Sequence, residues 1–185
     1  MSERICPWWL GYALINPIRK WFNDPHAMLA PFVNEGMRVM EPGPGMGYFT
    51  LELARLVGTS GKVFAVDLQK RMLDGVRKRA AKVGLLDRID LREAKPDDLS
   101  VSDLAGTIDF VPAIYMVHEI PHKEIFLGQI RNALRAGGKL WIVEPKGHVK
   151  EHDFTETLSI AEKAGFSLES RQTLRSGYAA VLIRN

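Results

Sequence analysis

The chain is short of cysteine. Cys6 is the only one among 185 residues, which excludes an internal disulfide and any cysteine-cluster metal site and fits a reducing cytoplasm. It is also short of net charge: 25 basic residues stand against 22 acidic ones, and the basic residues are scattered along the chain. That pattern argues against nucleic acid as a partner, because such partners draw a concentrated basic face. Long apolar runs are missing as well. The best of them, residues 5–15, is broken by Pro7 and Gly11, has only Arg4 as a basic residue before it, and precedes no small-x-small cleavage site. Neither a transmembrane segment nor a secretory signal is expected. No H-E-x-x-H or comparable pair occurs, so no metal is expected, although His118, His122 and His148 can be grouped on paper with Glu119 and Glu144.

What is present is an ordinary globular composition, 46% hydrophobic and 25% charged, in a length that suits one domain with a proper core. Residues 1–36 differ from the rest and read as an N-terminal helical cap belonging to the same domain as residues 37–185. Trp8, Trp9, Tyr12, Trp21 and Phe22 concentrate the aromatics there. Asn16-Pro17 and Asp24-Pro25 each look like a helix N-cap followed by proline at the first helical position, and Pro31 prevents one long helix. Such a cluster more often packs a helix onto a sheet than builds a site. As a wall over a substrate, its candidate residues are Trp8, Trp9 and Tyr12. Arg19 and Lys20 beside Trp21 and Phe22 also suggest a peripheral membrane contact.

From Arg38 onward strand and helix patterns alternate. Strands are expected at 38–41, 62–66 ending in Asp67, 89–92, 108–114 and 139–143, then at 166–172 and 178–183 as a hairpin across Ser176-Gly177. Helices are expected at 50–57, from Met72 to Val83 with Met72, Leu73, Val76, Ala80 and Val83 on one face, near 100–104, and at 123–135 with Gly137-Gly138 ending it. A last helix should start in a capping box of Asp153 and Glu156 and stop at Gly165. Repeated alternation of this kind implies a mainly parallel sheet with helices on both faces. Ligands in such sheets bind beyond the carboxyl ends of the strands, which is where Glu41 and Asp67 fall.

The first strand runs into Glu41-Pro42-Gly43-Pro44-Gly45-Met46-Gly47-Tyr48. Glycine serves where backbone takes positive φ or lies close to a ligand, and a strand–loop–helix junction directs N–H groups at whatever sits there. The dinucleotide fingerprint needs its third glycine three residues after the second; here Gly47 follows Gly45 by two and Tyr48 stands at the required place. Nor does a Gly-Lys-Ser/Thr follow, as a P-loop requires. The stretch resembles motif I of class I S-adenosylmethionine-dependent methyltransferases, (Asp/Glu)-x-G-x-G-x-G, with Glu41, Gly43, Gly45 and Gly47 on the pattern. Leu134-Arg135-Ala136-Gly137-Gly138-Lys139-Leu140 is similar to the family's L-(K/R)-P-G-G-x-L with alanine for proline, and Ala164-Gly165-Phe166 to its A-G-F.

The resemblance runs from about Gly36 to the C-terminus and implies an α/β fold, a Rossmann-like doubly wound sheet of seven strands, mostly parallel with an antiparallel last strand. It implies S-adenosyl-L-methionine as cofactor, held by Glu41, Gly43, Pro44, Gly45 and Gly47. Asp67 would take both ribose hydroxyls, with Leu68 against the adenine. Tyr115 and Met116 would lie beside the methionine end. Many relatives place an Asp after strand three for the adenine amino group, where alignment puts Lys95; Glu93, Asp97 or a backbone carbonyl are alternatives. The candidates for proton transfer follow strand four: His118, Glu119 and His122, of which the histidines can titrate near working pH. Strand four lacks the (Asp/Asn)-Pro-Pro-Tyr of amino-methylating relatives, so the expected partner is a small-molecule methyl acceptor. The rivals are a nicotinamide-dependent oxidoreductase and a cofactor-binding protein without turnover.

Overall fold

A computed structural model describes residues 24–174 and 177–185. In chain order these form α1 (Pro25–Leu29), β1 (Arg38–Pro42), α2 (Thr50–Leu56), β2 (Lys62–Asp67), α3 (Lys70–Lys82), β3 (Ile89–Glu93), β4 (Ile108–Ile114), α4 (Lys123–Ala133), β5 (Leu134–Pro145), α5 (Glu151–Lys163), β6 (Phe166–Thr173) and β7 (Gly177–Arg184). Three 3-10 turns, Leu86–Arg88, Ser102–Leu104 and Val117–Glu119, lie between them. The strands make a seven-stranded mixed sheet in the order β3-β2-β1-β4-β5-β7-β6, as the family resemblance implied. The chain divides into two compact units, one ending at Pro96 and one running from Asp97 to Asn185.

In the N-terminal unit β1 pairs parallel to β2, and β2 parallel to β3. Val39, Met40, Glu41 and Pro42 are all buried, the mark of a strand covered on both faces rather than one that alternates in and out. The apolar face of α3 is Met72, Leu73, Val76 and Ala80, each at 5% exposure or less. Burying four such side chains supplies on the order of several kcal/mol, far more than the helix's own propensity. Val83, expected on that face, instead ends the helix and is 48% exposed. The Asp24 cap is formed: its carboxylate accepts from the His26 N–H at 3.0 Å, with Pro25 at the first helical position. The Asn16-Pro17 cap and the aromatics Trp8, Trp9, Tyr12, Trp21 and Phe22 lie outside the described residues.

In the C-terminal unit β4 and β5 are parallel, while β7 runs antiparallel to both β5 and β6. Residues 140–144 of β5 are buried, and β6, which among the described residues pairs with β7 alone, exposes most of its residues, among them Glu169 and Gln172. Polar and charged side chains on an edge strand discourage pairing with another chain. In this unit two helix boundaries and one expected helix differ from expectation. α4 ends at Ala133, because Leu134 turns extended (φ −63°, ψ 144°) and pairs with Ile108; Gly137-Gly138 then falls inside β5, where the register shifts. α5 starts earlier, at Glu151, and Asp153 sits two residues inside it, accepting from the Lys150 N–H at 3.3 Å rather than serving as the N-cap. The helix expected near 100–104 is only a 3-10 turn, since Ser100 holds a left-handed φ of 54°.

Candidate functional site

The glycine loop leaves the carboxyl end of β1 and bends at Gly43, Gly45 and Gly47, with φ of 67°, 53° and 81°. Two of these positions require glycine for different reasons. A side chain at Gly45 would meet nothing within 4 Å, so the loop is open there and only its backbone conformation demands glycine. At Gly47 a Cβ would lie 3.3 Å from a Val76 methyl, so conformation and close packing act together. The Gly43 N–H donates to the Val66 carbonyl at 2.9 Å, and that of Gly47 to Pro44 at 2.9 Å.

Two carboxylates stand at the strand ends. Glu41 is 4% exposed, and its Oε2 is buried with no hydrogen-bond partner among the described residues. Burial pushes its carboxyl up from 4.5 to about 8; the Thr50 hydroxyl, close by, offsets part of this, and the Asp67 charge adds to it. Asp67 closes β2, is half-buried, and accepts from the Gln69 N–H at 2.8 Å, while its own carbonyl accepts from Ala94 at 3.0 Å. Leu68 beside it is 41% exposed. Lys95, beyond β3, is exposed.

What the sequence reading missed is the brace behind the loop. Gly75 of α3 lies so close to the Met46 sulfur that a Cβ there would overlap it, and the Arg79 guanidinium donates to the Met46 carbonyl. Val76 packs against Gly47. A glycine inside an otherwise strong amphipathic helix, where it costs about 0.5–1 kcal/mol relative to alanine, was the available signal. A surface cleft of about 380 Å³ in this unit is lined by Lys62, Arg77, Leu86 and Ile89. Lys62 and Ile89 start β2 and β3, so the cleft opens at the wrong end of the strands for a ligand of such a sheet.

In the C-terminal unit β4 ends at Ile114, and Tyr115 follows with a φ of 60°, its N–H donating to the Val143 carbonyl at 2.7 Å. A left-handed tyrosine is strained, and such strain gathers at functional sites. Met116 is half-buried beside it. His118 lies in the turn that follows. Its backbone N–H donates to Glu144 Oε1 at 3.0 Å and its Nδ1 lies 2.5 Å from Glu144 Oε2. Glu144, near the end of β5, is 2% exposed. Glu119, the other candidate for proton transfer, is exposed, and the carboxylate that engages the His118 ring is Glu144. Sequence separation hid that pairing, since the two residues are 26 positions apart. The hydrogen bond to Glu144 raises the His118 pKa above its ordinary 6.5, against the burial that lowers it. The His148 ring stands edge-on to His118 at 5.9 Å. Among the described residues no group of three or more His, Cys, Asp or Glu is arranged to hold a metal ion.

S-adenosylmethionine offers an ammonium, a sulfonium, two ribose hydroxyls and an adenine. The N-terminal unit holds two carboxyl groups at its strand ends, an orphaned, buried Glu41 oxygen and Asp67, together with an open glycine loop and an exposed leucine. Residues 33–172 match the family described as a methyltransferase domain. Over 112 residues the chain is 29% identical to the ubiquinone/menaquinone biosynthesis C-methyltransferase UbiE of Cronobacter sakazakii, covering 60% of this chain and 44% of that protein. The match thus spans less than half of that curated relative. A solved S-adenosylmethionine-dependent methyltransferase from Aquifex aeolicus has a TM-score of 0.88 at 22% identity, covering 98% of this chain and 100% of the other. An S-adenosylmethionine-dependent O-methyltransferase from Thermotoga maritima has a TM-score of 0.67 at 21% identity, covering 88% and 64%. At those identities the structural likeness speaks for the fold, whereas the family match takes in most of the chain. The chain belongs to the class I S-adenosylmethionine-dependent methyltransferase family.

Proposed function

We propose that the protein transfers the methyl group of S-adenosylmethionine to a small-molecule acceptor by direct displacement. The observation that carries this reading is the buried, partnerless Glu41 oxygen at the end of β1, beside three left-handed glycines. A buried carboxyl oxygen without a donor is stabilised by a ligand that brings positive charge or a donor, and such a ligand draws the Glu41 carboxyl, pushed up to about 8 by burial, back towards its ionised form. In this reading Glu41, Gly43, Pro44, Gly45 and Gly47 hold the methionine part, and Asp67 accepts from the ribose hydroxyls. Leu68 covers the adenine, with Lys95 at its rim, and Tyr115 and Met116 flank the sulfonium. The cofactor supplies the electrophile; the chain supplies alignment and shelter from water.

Residues 1–36 cap the domain of residues 37–185 in this reading, and Trp8, Trp9 and Tyr12 line the acceptor site. His118 and Glu119 are the residues assigned to proton transfer, with a cytoplasmic setting for the whole. UbiE methylates carbon in quinone biosynthesis and the Thermotoga maritima enzyme is an O-methyltransferase by name, so both atoms stay in play for the acceptor here. Among the described residues no helix is long and apolar enough to cross a membrane.

Calorimetric titration with S-adenosylmethionine, S-adenosylhomocysteine and NADH tests the cofactor. Micromolar binding of both sulfur ligands and none of NADH is expected; NADH binding alone would return the chain to the oxidoreductase reading. A methylated product from a cell extract supplied with labelled cofactor then separates an enzyme from a binder.

A further inference from the structure

The pairing of His118 with Glu144 has a geometry that selects one tautomer. Glu144 is buried and grips His118 twice, once through the backbone N–H at 3.0 Å and once through Nδ1 at 2.5 Å. An ionised carboxylate can only accept, so a neutral His118 ring must carry its proton on Nδ1. That leaves Nε2 as the lone-pair nitrogen. Nε2 has no hydrogen-bond partner among the described residues and is not sealed in, the side chain being 22% exposed. The ring is held in place because its backbone is tied to the same carboxylate, and the His148 ring stands near-perpendicular to it at 5.9 Å. β7 secures the other end: Gly177 sits against the Glu144 carbonyl so closely that no Cβ would fit between them. Orienting a ring through one nitrogen to free the other is how a second group prepares a histidine for proton transfer.

We propose that Glu144 is the positioning residue that makes His118 Nε2 the proton acceptor for the methyl acceptor, and that this acceptor carries a phenolic hydroxyl. The inference rests on the methyltransferase reading above. A thiolate or a free amine would need no base. A phenol, with a pKa of about 10, does, and imidazole is matched to it far better than to an alkanol. In the step, the phenol O–H proton passes to Nε2 and the phenolate electrons form the new bond to the methyl carbon, at oxygen or at the ring carbon beside it. The C–S pair stays on sulfur. For methylation at carbon, that carbon's own proton is lost afterwards to water. His118 ends as imidazolium, facing the Glu144 carboxylate that stabilises it. The other charged or titratable groups around the ring are Glu119 in its own turn, Lys123 on α4 and His148 beyond β5.

The test begins on the full chain without ligand, by ¹⁵N NMR of the histidine rings. Wild type should show His118 protonated at Nδ1 when neutral, with a pKa above the ordinary value. In Glu144→Gln the pKa should drop and the tautomer should change, because an amide can donate to Nδ1. Glu144→Asp should keep the wild-type tautomer. An Nε2–H tautomer in wild type, or no change in Glu144→Gln, overturns the assignment of Glu144. The second arm adds 4-nitrophenol, whose phenolate is coloured, to protein saturated with S-adenosylhomocysteine. Wild type should raise the phenolate fraction severalfold over buffer and His118→Ala should not. Identical spectra for the two proteins, including no binding by either, overturn the phenol. Failure to bind S-adenosylhomocysteine at all counts instead against the methyltransferase reading, so the two failures are distinguishable.

Discussion

The two units carry their chemistry in opposite ways. In the N-terminal unit the groups that matter are nearly contiguous: Glu41 and three glycines lie within seven residues, and Asp67 closes the next strand. In the C-terminal unit His118 and Glu144 come from a turn after β4 and from the end of β5, and pairing of those strands brings them to 2.5 Å. The first arrangement has the character of a motif because loop backbone conformation sets it. The second has the character of a contact, because strand register sets it. Even the N-terminal unit is not wholly local, since Gly75, Val76 and Arg79 of α3 brace the loop from about 30 residues away.

The largest expected effect tests the buried acid of the local motif. Between pH 4.5 and about 8 the unfolded chain has released the Glu41 proton while the folded chain keeps it, so stability falls as pH rises through that window. Denaturant unfolding at both ends of the window should show this fall, and Glu41→Gln should flatten it by roughly 2 kcal/mol or more. A slope that survives the substitution assigns the titration to another group.

Asp67→Ala sharpens the comparison from the cofactor side. Losing two hydroxyl contacts to a carboxylate should weaken S-adenosylhomocysteine binding by about 2–3 kcal/mol, roughly a hundredfold, in calorimetry. The His118 resonances should stay where they are. If they move, the two regions are not separable.

Gly75→Ala probes the brace. In an exposed helix it would gain about 0.5–1 kcal/mol. Overlap with Met46 should reverse the sign, to a net loss of about 1 kcal/mol in denaturant midpoint and a weaker hold on the cofactor. A gain in stability would show that Met46 moves aside freely.

The smallest effect belongs to the surface. Lys139 reaches both Glu169 oxygens at 2.8 Å, yet both side chains are substantially exposed. Lys139→Ala should change stability by about 0.5 kcal/mol or less, and more at low salt than at high salt. A change of several times that size would make the β5 end of the C-terminal unit more tightly coupled than its exposure implies.

The amino-acid sequence by itself determined the alternation of strand and helix and most strand limits, β4 to the residue. It also placed the Asp24 cap, the glycine loop and Asp67. Each rests on signals within a few residues of one another: apolar periodicity, a proline after a capping side chain, glycine where φ is positive. Tertiary structure decided the rest. Leu134 left its helix because Ile108 offered a strand partner, against two glycines that marked the stop later. Val83 was turned to solvent because α3 ended before it. Glu144, 26 positions away, became the partner of His118, since a β-sheet sets adjacency by register across strands and sequence distance carries no record of it.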